Sequence, residues 1–164
     1  MEKKLVAGVL IAAVIVGIVI AWQVSKPALP PADGKALYTY LSTEASYKNW
    51  NLWPGKGQLY AGKEPHGAFL TTYVNDAAIG AIEGKKGVMP EGAIIVKENY
   101  MPDKTLAAIT VMYKVKGYNP EHNDWFWAKY GPNGAVQAEG KATMCIACHD
   151  KEDDNDYIFT GRLK

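Results

Sequence analysis

The stretch AIIVKENYMPDKTLAAITVMYKV, residues 93–115, decides the fold of this chain. It contains two runs of apolar, β-branched and aromatic residues, 93–100 and 106–115, separated by the turn signal Met101-Pro102-Asp103. Such runs are typical of strands, and strands joined by so short a loop pair in antiparallel fashion. The stretch therefore predicts two neighbouring strands of an antiparallel sheet.

The sequence on either side continues this pattern. Two more strand-like runs, AFLTTYV at 68–74 and WFWAKY at 125–130, are bounded by turn signals. Apolar spacing predicts a helix over residues 35–50 that opens at Asp33, and Asn75 is expected to cap a short helix in AAIGAIEGK. A further helix is expected over 138–147, followed by extended chain in YIFTGRL. We therefore predict the α+β class, with a mainly antiparallel β-sheet and flanking helices.

Length and charge restrict the possible functions. A chain of 164 residues has room for one domain once its N-terminus is set aside. Its 18 lysines and arginines nearly balance its 17 aspartates and glutamates, which gives a formal net charge of +1. This balance gives no reason to expect a nucleic-acid partner.

The N-terminus carries a segment that is predicted to insert into a membrane. Residues 5–22, LVAGVLIAAVIVGIVIAW, contain no charge and follow Glu2-Lys3-Lys4. So long an apolar run is typical of a transmembrane helix, and no convincing cleavage site follows it. We assign residues 1–25 to an N-terminal anchor, with a cleaved signal segment as the alternative, and residues 26–34, KPALPPADG, to a proline-rich linker. The preceding lysines place the domain, residues 35–164, in the periplasm or on the outer face of the cytoplasmic membrane.

The only two cysteines of the chain lie in MCIACHD, residues 144–150. Two cysteines on one helical turn can bond to the vinyl groups of a haem, and a histidine directly after the second can bind its iron. We therefore predict one haem c that is covalently held by Cys145 and Cys148, with His149 as the proximal iron ligand. The alternatives are weaker, because a disulfide would close a strained small loop and a thioredoxin-like motif would need a βαβ unit. The C-terminal helix is thus the expected haem-binding helix.

The sixth iron ligand separates the functions open to such a haem. A methionine or histidine in that position makes an electron carrier, whereas an open position permits ligand chemistry. The methionines at 89, 101, 112 and 144 carry no signal that distinguishes one of them. His66, in EPHGAF, is either a turn histidine or a distal ligand.

Lys97 interrupts an apolar row of its strand. Alternation puts Ala93, Ile95 and Lys97 on one face of the sheet. Because Lys97 lies near the strand end, its amine either extends to water or points at the cofactor.

Together these features resemble the cytochrome P-460 family. The resemblance rests on PEGAIIVKE, on CIACHD and on the spacing from His149 to IFT, and it extends from Tyr38 to Thr160. It implies a mainly antiparallel β fold and a five-coordinate haem that oxidises hydroxylamine and, in some members, nitric oxide. In the family's enzymes a lysine on this strand is bonded to the porphyrin, and Lys97 occupies the matching position. A related branch, the cytochromes c′-beta, binds nitric oxide or carbon monoxide without that bond.

The resemblance also implies roles for other residues around the iron. An acidic residue after the CxxCH motif aids proton transfer in the enzymes, which implies Glu152 or Asp153, although such an acidic run is equally typical of a solvated turn. Leu70 takes the place of a distal arginine of the enzymes, and Phe69 lies beside it. An apolar distal pocket is therefore expected, and it suits a neutral gas better than hydroxylamine.

Three functions remain open on this evidence. The chain is an oxidoreductase acting on hydroxylamine or nitric oxide, a gas-binding protein like cytochrome c′-beta, or a membrane-tethered electron carrier with a six-coordinate haem. The expected partners are a small nitrogen compound or gas, an electron-transfer cytochrome, the membrane and, as in many family members, a second copy of the chain.

Overall fold

The computed structural model describes residues 27–164. The predicted anchor or signal segment, residues 1–25, lies outside the described residues. Within residues 27–164, none of the helices has both the length and the apolar composition that crossing a bilayer requires. Part of the predicted linker contacts the domain, since the Tyr113 hydroxyl donates to the Pro30 carbonyl at 2.9 Å.

One antiparallel sheet forms the framework of the described residues. Its strands are β1 (Asn51–Leu52), β2 (Tyr60–Ala61), β3 (Phe69–Val74), β4 (Ile94–Tyr100), β5 (Leu106–Lys114), β6 (Trp125–Tyr130) and β7 (Val136–Gly140). They are ordered β1-β3-β4-β5-β6-β7, and β2 pairs with β3. The predicted α+β class with a mainly antiparallel sheet is confirmed.

Three α-helices flank this sheet within the described residues: α1 (Gly34–Thr39), α2 (Asp76–Glu83) and α3 (Thr143–His149). The Asp33 carboxylate caps α1 by accepting from the Ala36 N–H at 2.8 Å. The Asn75 side chain caps α2 by accepting from the Ala78 N–H at 3.1 Å. Both caps agree with the sequence predictions. The helix expected over residues 35–50 is present as α1, a π-helical turn and a 3-10 turn in succession.

The prediction of a helix over residues 138–147 is wrong for the first part of that range. Residues Val136–Gly140 form β7, which pairs with β6, and α3 begins only at Thr143. Pairing with β6 outweighs the helix preference of the alanine and glutamate in this segment. Gly140 has a φ of +86°, a conformation that glycine adopts without strain, and it turns the chain from β7 toward α3. A 3-10 helix, Asp150–Asn155, follows α3 directly.

Each face of the sheet has its own hydrophobic core. One face packs against α2, α3 and the C-terminal tail, and we call it the α3 face. The other packs against α1 and the helical turns after it, and we call it the α1 face. Buried side chains of the α3 face include Ile95, Met112, Trp127 and Ile146, and those of the α1 face include Leu37, Leu41, Ile94 and Val96.

The central hairpin of β4 and β5 positions Lys97 on the α3 face. Lys97 lies opposite Thr72 of β3 and Thr110 of β5. Because side chains alternate along a strand, Ile95 and Asn99 share its face. The fold therefore brings Lys97 to the same side of the sheet as the CxxCH helix.

Candidate haem site

A cavity of about 440 Å³ opens between the α3 face and helix α3. The strands contribute Lys97, Asn99 and Thr110 to its lining. Helix α3, the loop of residues 64–67 and the tail residues 158–160 complete the lining. A volume of this size is typical of ligand and cofactor sites.

Both cysteines line this cavity from one turn of α3. Cys145 and Cys148 are free thiols, and each is half-buried. Residues three apart are neighbours on a helix surface, which is why both side chains reach the same cavity. Burial raises the pKa of the Cys145 thiol, so this group is protonated at neutral pH. The two thiols can therefore form covalent bonds to a single planar group such as a haem.

His149 lies at the end of α3 and is only 7% exposed. Its Nδ1 donates to the Tyr157 carbonyl at 2.6 Å. Because a carbonyl oxygen only accepts, Nδ1 carries the hydrogen and Nε2 has a free lone pair, which is the arrangement of a metal-binding histidine. Burial lowers the pKa of His149, so the neutral form that binds metals predominates. The Trp127 and Phe159 rings, with centroids 4.8 and 5.2 Å away, fix the position of the imidazole.

The Tyr157 carbonyl is held in place by a buried ion pair at the preceding residue. Asp156 Oδ1 lies 2.7 Å from Lys114 Nζ, and the Asp156 carbonyl accepts from Trp125 Nε1 at 3.0 Å. Both Asp156 and Tyr157 have a positive φ, at 56° and 67°. These contacts fix the turn that presents the carbonyl to His149.

Lys97 lines the cavity, and its side-chain amine has no hydrogen bond or ion pair among residues 27–164. Desolvation by the surrounding side chains lowers the pKa of Lys97 from 10.5 to about 8. A minor fraction of this amine is therefore neutral at pH 7, and a neutral amine is a nucleophile.

His66 enters the cavity from the loop before β3. Its ring centroid lies 6.0 Å from that of His149, and the two ring planes are nearly perpendicular, at 89°. Its Nδ1 lies 2.9 Å from Asn99 Oδ1. Burial, and to a smaller extent the nearby charge of Lys97, lower the pKa of His66 to about 4, so this ring is neutral as well.

The sequence profile of the cytochrome P-460 family matches residues 44–160. This match covers more than half of the chain and includes every cavity-lining residue described above. The chain belongs to the cytochrome P-460 family. Among curated proteins, none matches the chain.

Membership of the cytochrome P-460 family makes this a c-type haem protein, and the cavity is chemically suited to that group. Trp127 Nε1 is buried, and among residues 27–164 it has no hydrogen-bond partner. Trp127 lines the cavity together with Lys97 and Lys129. Buried donors and cations of this kind require acceptors, and the two carboxylates of a haem are acceptors. The residues of this cytochrome P-460 therefore fit a haem c.

Two of the residues expected at the iron lie outside the cavity. Leu70 shares the α3 face with Asn99, its partner in the sheet, but it packs against the loop at Gly62, where an added Cβ would come within 2.9 Å of Leu70 Cγ. Phe69 is paired with Tyr100 and points to the opposite face, with Lys104 Nζ 5.9 Å from its ring centroid. The apolar pocket expected from Phe69 and Leu70 is therefore not part of the described cavity.

The acidic residues after the CxxCH motif also lie outside the cavity. Glu152 is in the 3-10 helix after α3, and its carboxylate is 3.6 Å from the Arg162 guanidinium. Asp153 is exposed on the same short helix. The structure does not bring either carboxylate together with Lys97 and His149.

Two residues of the site, Asn99 and Tyr157, had no role in the sequence analysis. Asn99 interrupts an apolar strand two residues after Lys97, a signal of the same kind as the one that identified the lysine. Trp127 belongs to the aromatic run WFWAKY, and such a run is more often sheet core than a wall of the haem. Tyr157 acts through its backbone carbonyl, and no side-chain pattern indicates such a role.

Proposed function

We propose that this cytochrome P-460 is an exported monohaem c-type cytochrome that binds or oxidises a small nitrogen compound, such as hydroxylamine or nitric oxide. The observation that carries the proposal is the presence of Cys145, Cys148, His149 and Lys97 in one cavity. Two thiols, one axial ligand and one amine with a lowered pKa are the groups that such a haem requires from the protein.

Each of these side chains has a defined part in the proposed reaction. A haem held here supplies an iron that binds a small nitrogen ligand and exchanges single electrons. Cys145 and Cys148 attach it, His149 Nε2 binds the iron, and the Tyr157 carbonyl orients the imidazole and increases its basicity. Lys97 offers a partly neutral amine that would bond to a porphyrin ring carbon, as in the family's enzymes, once an external two-electron oxidant such as a peroxide has oxidised the ring; the amine and the ring carbon would each release a proton. Glu152 lies outside the cavity, so a proton would reach it only through water.

The proposal also includes the cellular location of the protein and its electron-transfer partner. The apolar segment 5–22 would anchor the protein, with its domain on the periplasmic side. Electrons would leave to another cytochrome at the cavity rim, where three exposed apolar side chains offer a contact surface. These side chains are Met101, Met144 and Phe159.

A second candidate function is electron transfer without substrate chemistry. The specific observation in its favour is the position of His66, whose ring lies 6.0 Å from that of His149. An iron with histidine on both sides exchanges electrons but offers no free position.

The proposal is tested on the protein made together with a haem c maturation system. We expect one covalent haem per chain, lost in the Cys145→Ala/Cys148→Ala variant, and electron transfer to an acceptor dye when hydroxylamine or nitric oxide is added. Mass spectrometry of the haem peptide shows whether Lys97 is bonded to the porphyrin, and a red-shifted, broad Soret band of the reduced protein accompanies that bond. Absence of covalent haem from the protein would refute the proposed haem c. If the haem-loaded protein neither oxidises hydroxylamine or nitric oxide nor binds either at its iron, electron transfer remains as its function.

A further inference from the structure

His66 has a fixed orientation because Asn99 is itself fixed. The Asn99 amide nitrogen donates to two backbone carbonyls, of Lys97 at 2.9 Å and of Ala108 at 3.1 Å, and it lies 3.2 Å from Thr110 Oγ1. These contacts direct Asn99 Oδ1 toward His66 Nδ1, at 2.9 Å. Since Oδ1 only accepts, His66 Nδ1 carries the hydrogen and Nε2 keeps a free lone pair.

His149 has the same tautomer for the same reason. Its Nδ1 donates to the Tyr157 carbonyl, which leaves Nε2 without a hydrogen. The cavity thus contains two imidazoles, each anchored at Nδ1 by an acceptor of the protein. Each has the hydrogen-bond arrangement that metal-ligating histidines adopt.

The separation of the two rings agrees with one metal between them. A histidine nitrogen binds a metal at about 2.0 Å and the ring centroid lies about 1.1 Å further, so two imidazoles on opposite sides of one metal have centroids about 6.2 Å apart. The observed separation is 6.0 Å. A water or small ligand between the iron and His66 would add a hydrogen-bond distance of about 2.8 Å. The centroid separation is therefore compatible with an iron bound directly by both imidazoles and too short for an additional water between them.

The geometry points to His66 Nε2 as the sixth ligand of the haem iron in the resting protein, with Asn99 as the residue that positions it. This inference rests on the proposed haem at Cys145, Cys148 and His149. It replaces the five-coordinate iron that the family resemblance implies by a six-coordinate resting state. A nitrogen compound would then reach the iron only when His66 moves away from it.

The other cavity side chains with ligand atoms are less suitable. Met101 is 51% exposed and Met144 is 75% exposed, and Met144 directly precedes Cys145. Met112 is buried in the core of the α3 face beside Trp127, its sheet partner. Lys97 is the remaining competitor, and the experiment distinguishes it from His66.

The test compares the haem-loaded wild-type protein with His66→Gly by absorption and electron paramagnetic resonance. We expect a low-spin ferric iron in the wild type and a high-spin iron in His66→Gly, with the low-spin spectrum restored by added imidazole. Asn99→Ala should give a mixture of both spin states, and Lys63→Ala, in the same loop but outside the cavity, should match the wild type. Carbon monoxide should bind ferrous His66→Gly about tenfold or more tightly than the wild type, because no internal ligand competes with it.

Two results would overturn the inference while leaving the cytochrome assignment intact. A high-spin wild type would show that the sixth position is open. A His66→Gly variant that remains low-spin without imidazole would assign the ligand to Lys97 or a methionine, and adding Lys97→Leu, which supplies no ligand atom, would separate these two. Absence of covalent haem from the wild type would instead refute the proposed function itself.

Discussion

Lys114 Nζ lies 2.7 Å from Asp156 Oδ1, and this buried ion pair directly precedes the carbonyl that binds His149. The two side chains are only 6% and 1% exposed. Asp156 Oδ2 also accepts from the Met89 N–H at 2.7 Å, which joins the C-terminal tail to the loop before β4. The same carboxylate therefore supports both the fold and the orientation of the proposed iron ligand.

Lys114→Met should lower the free energy of unfolding by about 3–5 kcal/mol, because it leaves the buried Asp156 carboxylate without its counter-ion. Denaturant unfolding measures this loss. Lys114→Met/Asp156→Asn removes both charges and keeps a polar side chain at 156, so its loss should be smaller. An equal loss in both variants would show that the charge pair is not what stabilises the tail. The reduction potential of the haem-loaded Lys114→Met should rise, because a looser Tyr157 carbonyl makes His149 less basic.

Asn75→Ala should cost more stability than Asp33→Ala, although both residues cap a helix. Asn75 Oδ1 accepts from Ala78 and Ile94 N–H groups, and its Nδ2 donates to the Gly92 carbonyl at 2.8 Å. Asp33 accepts from Ala36 N–H. We expect losses of about 2–3 kcal/mol for Asn75→Ala and about 1 kcal/mol for Asp33→Ala in urea unfolding. Equal losses would mean that the contacts of Asn75 beyond its cap contribute nothing.

Leu70→Ala should destabilise the protein and leave the iron unaffected. Leu70 is 6% exposed and packs beside Gly62, so its truncation should cost about 2–4 kcal/mol of unfolding free energy. Because it lies outside the cavity, the haem spectrum and carbon monoxide affinity should equal those of the wild type. Phe69→Ala, on the opposite face of the sheet, is the control. A changed haem spectrum in Leu70→Ala alone would show that Leu70 lines the distal pocket, as the sequence predicted.

The haem-free chain should become more stable relative to Lys97→Met as the pH rises from about 8 toward 10. The folded-state pKa of Lys97 is about 8, below its ordinary value of 10.5, so between these values the unfolded chain binds more protons. Stability then rises with pH through this window. The measurement is the difference between the unfolding free energies of the two proteins, in which the titration of tyrosines cancels. A difference that does not vary with pH would contradict the lowered pKa.

The central strands and both helix caps were predictable because local signals and tertiary structure agree there. Side chains of β4 point alternately to the two faces of the sheet, so the face on which Lys97 lies could be predicted from its position in the strand. β7 was mistaken for helix, because VQAEG lacks the β-branched density of a strand and takes its conformation from β6. The two-residue strands β1 and β2 are too short for any periodicity.

The site was predictable only where one motif contains its parts. Cys145, Cys148 and His149 are adjacent in sequence, and their common cavity follows from one helical turn. His66 and His149 are 83 positions apart, and their proximity depends on the whole sheet between them. The Tyr157 carbonyl and the Asn99 amide act through contacts that only the folded backbone defines.

The position of α3 after the last strand has a consequence for truncated forms of the protein. Within residues 27–164 every strand ends at or before Gly140, so the whole sheet is encoded before the two cysteines. Ile158 and Leu163, both fully buried, follow α3 in the chain and pack onto the α3 face. A chain truncated before residue 156 would keep Cys145, Cys148 and His149 but lose the Tyr157 carbonyl that binds His149 and the side chains that cover the α3 face, so it should fold poorly.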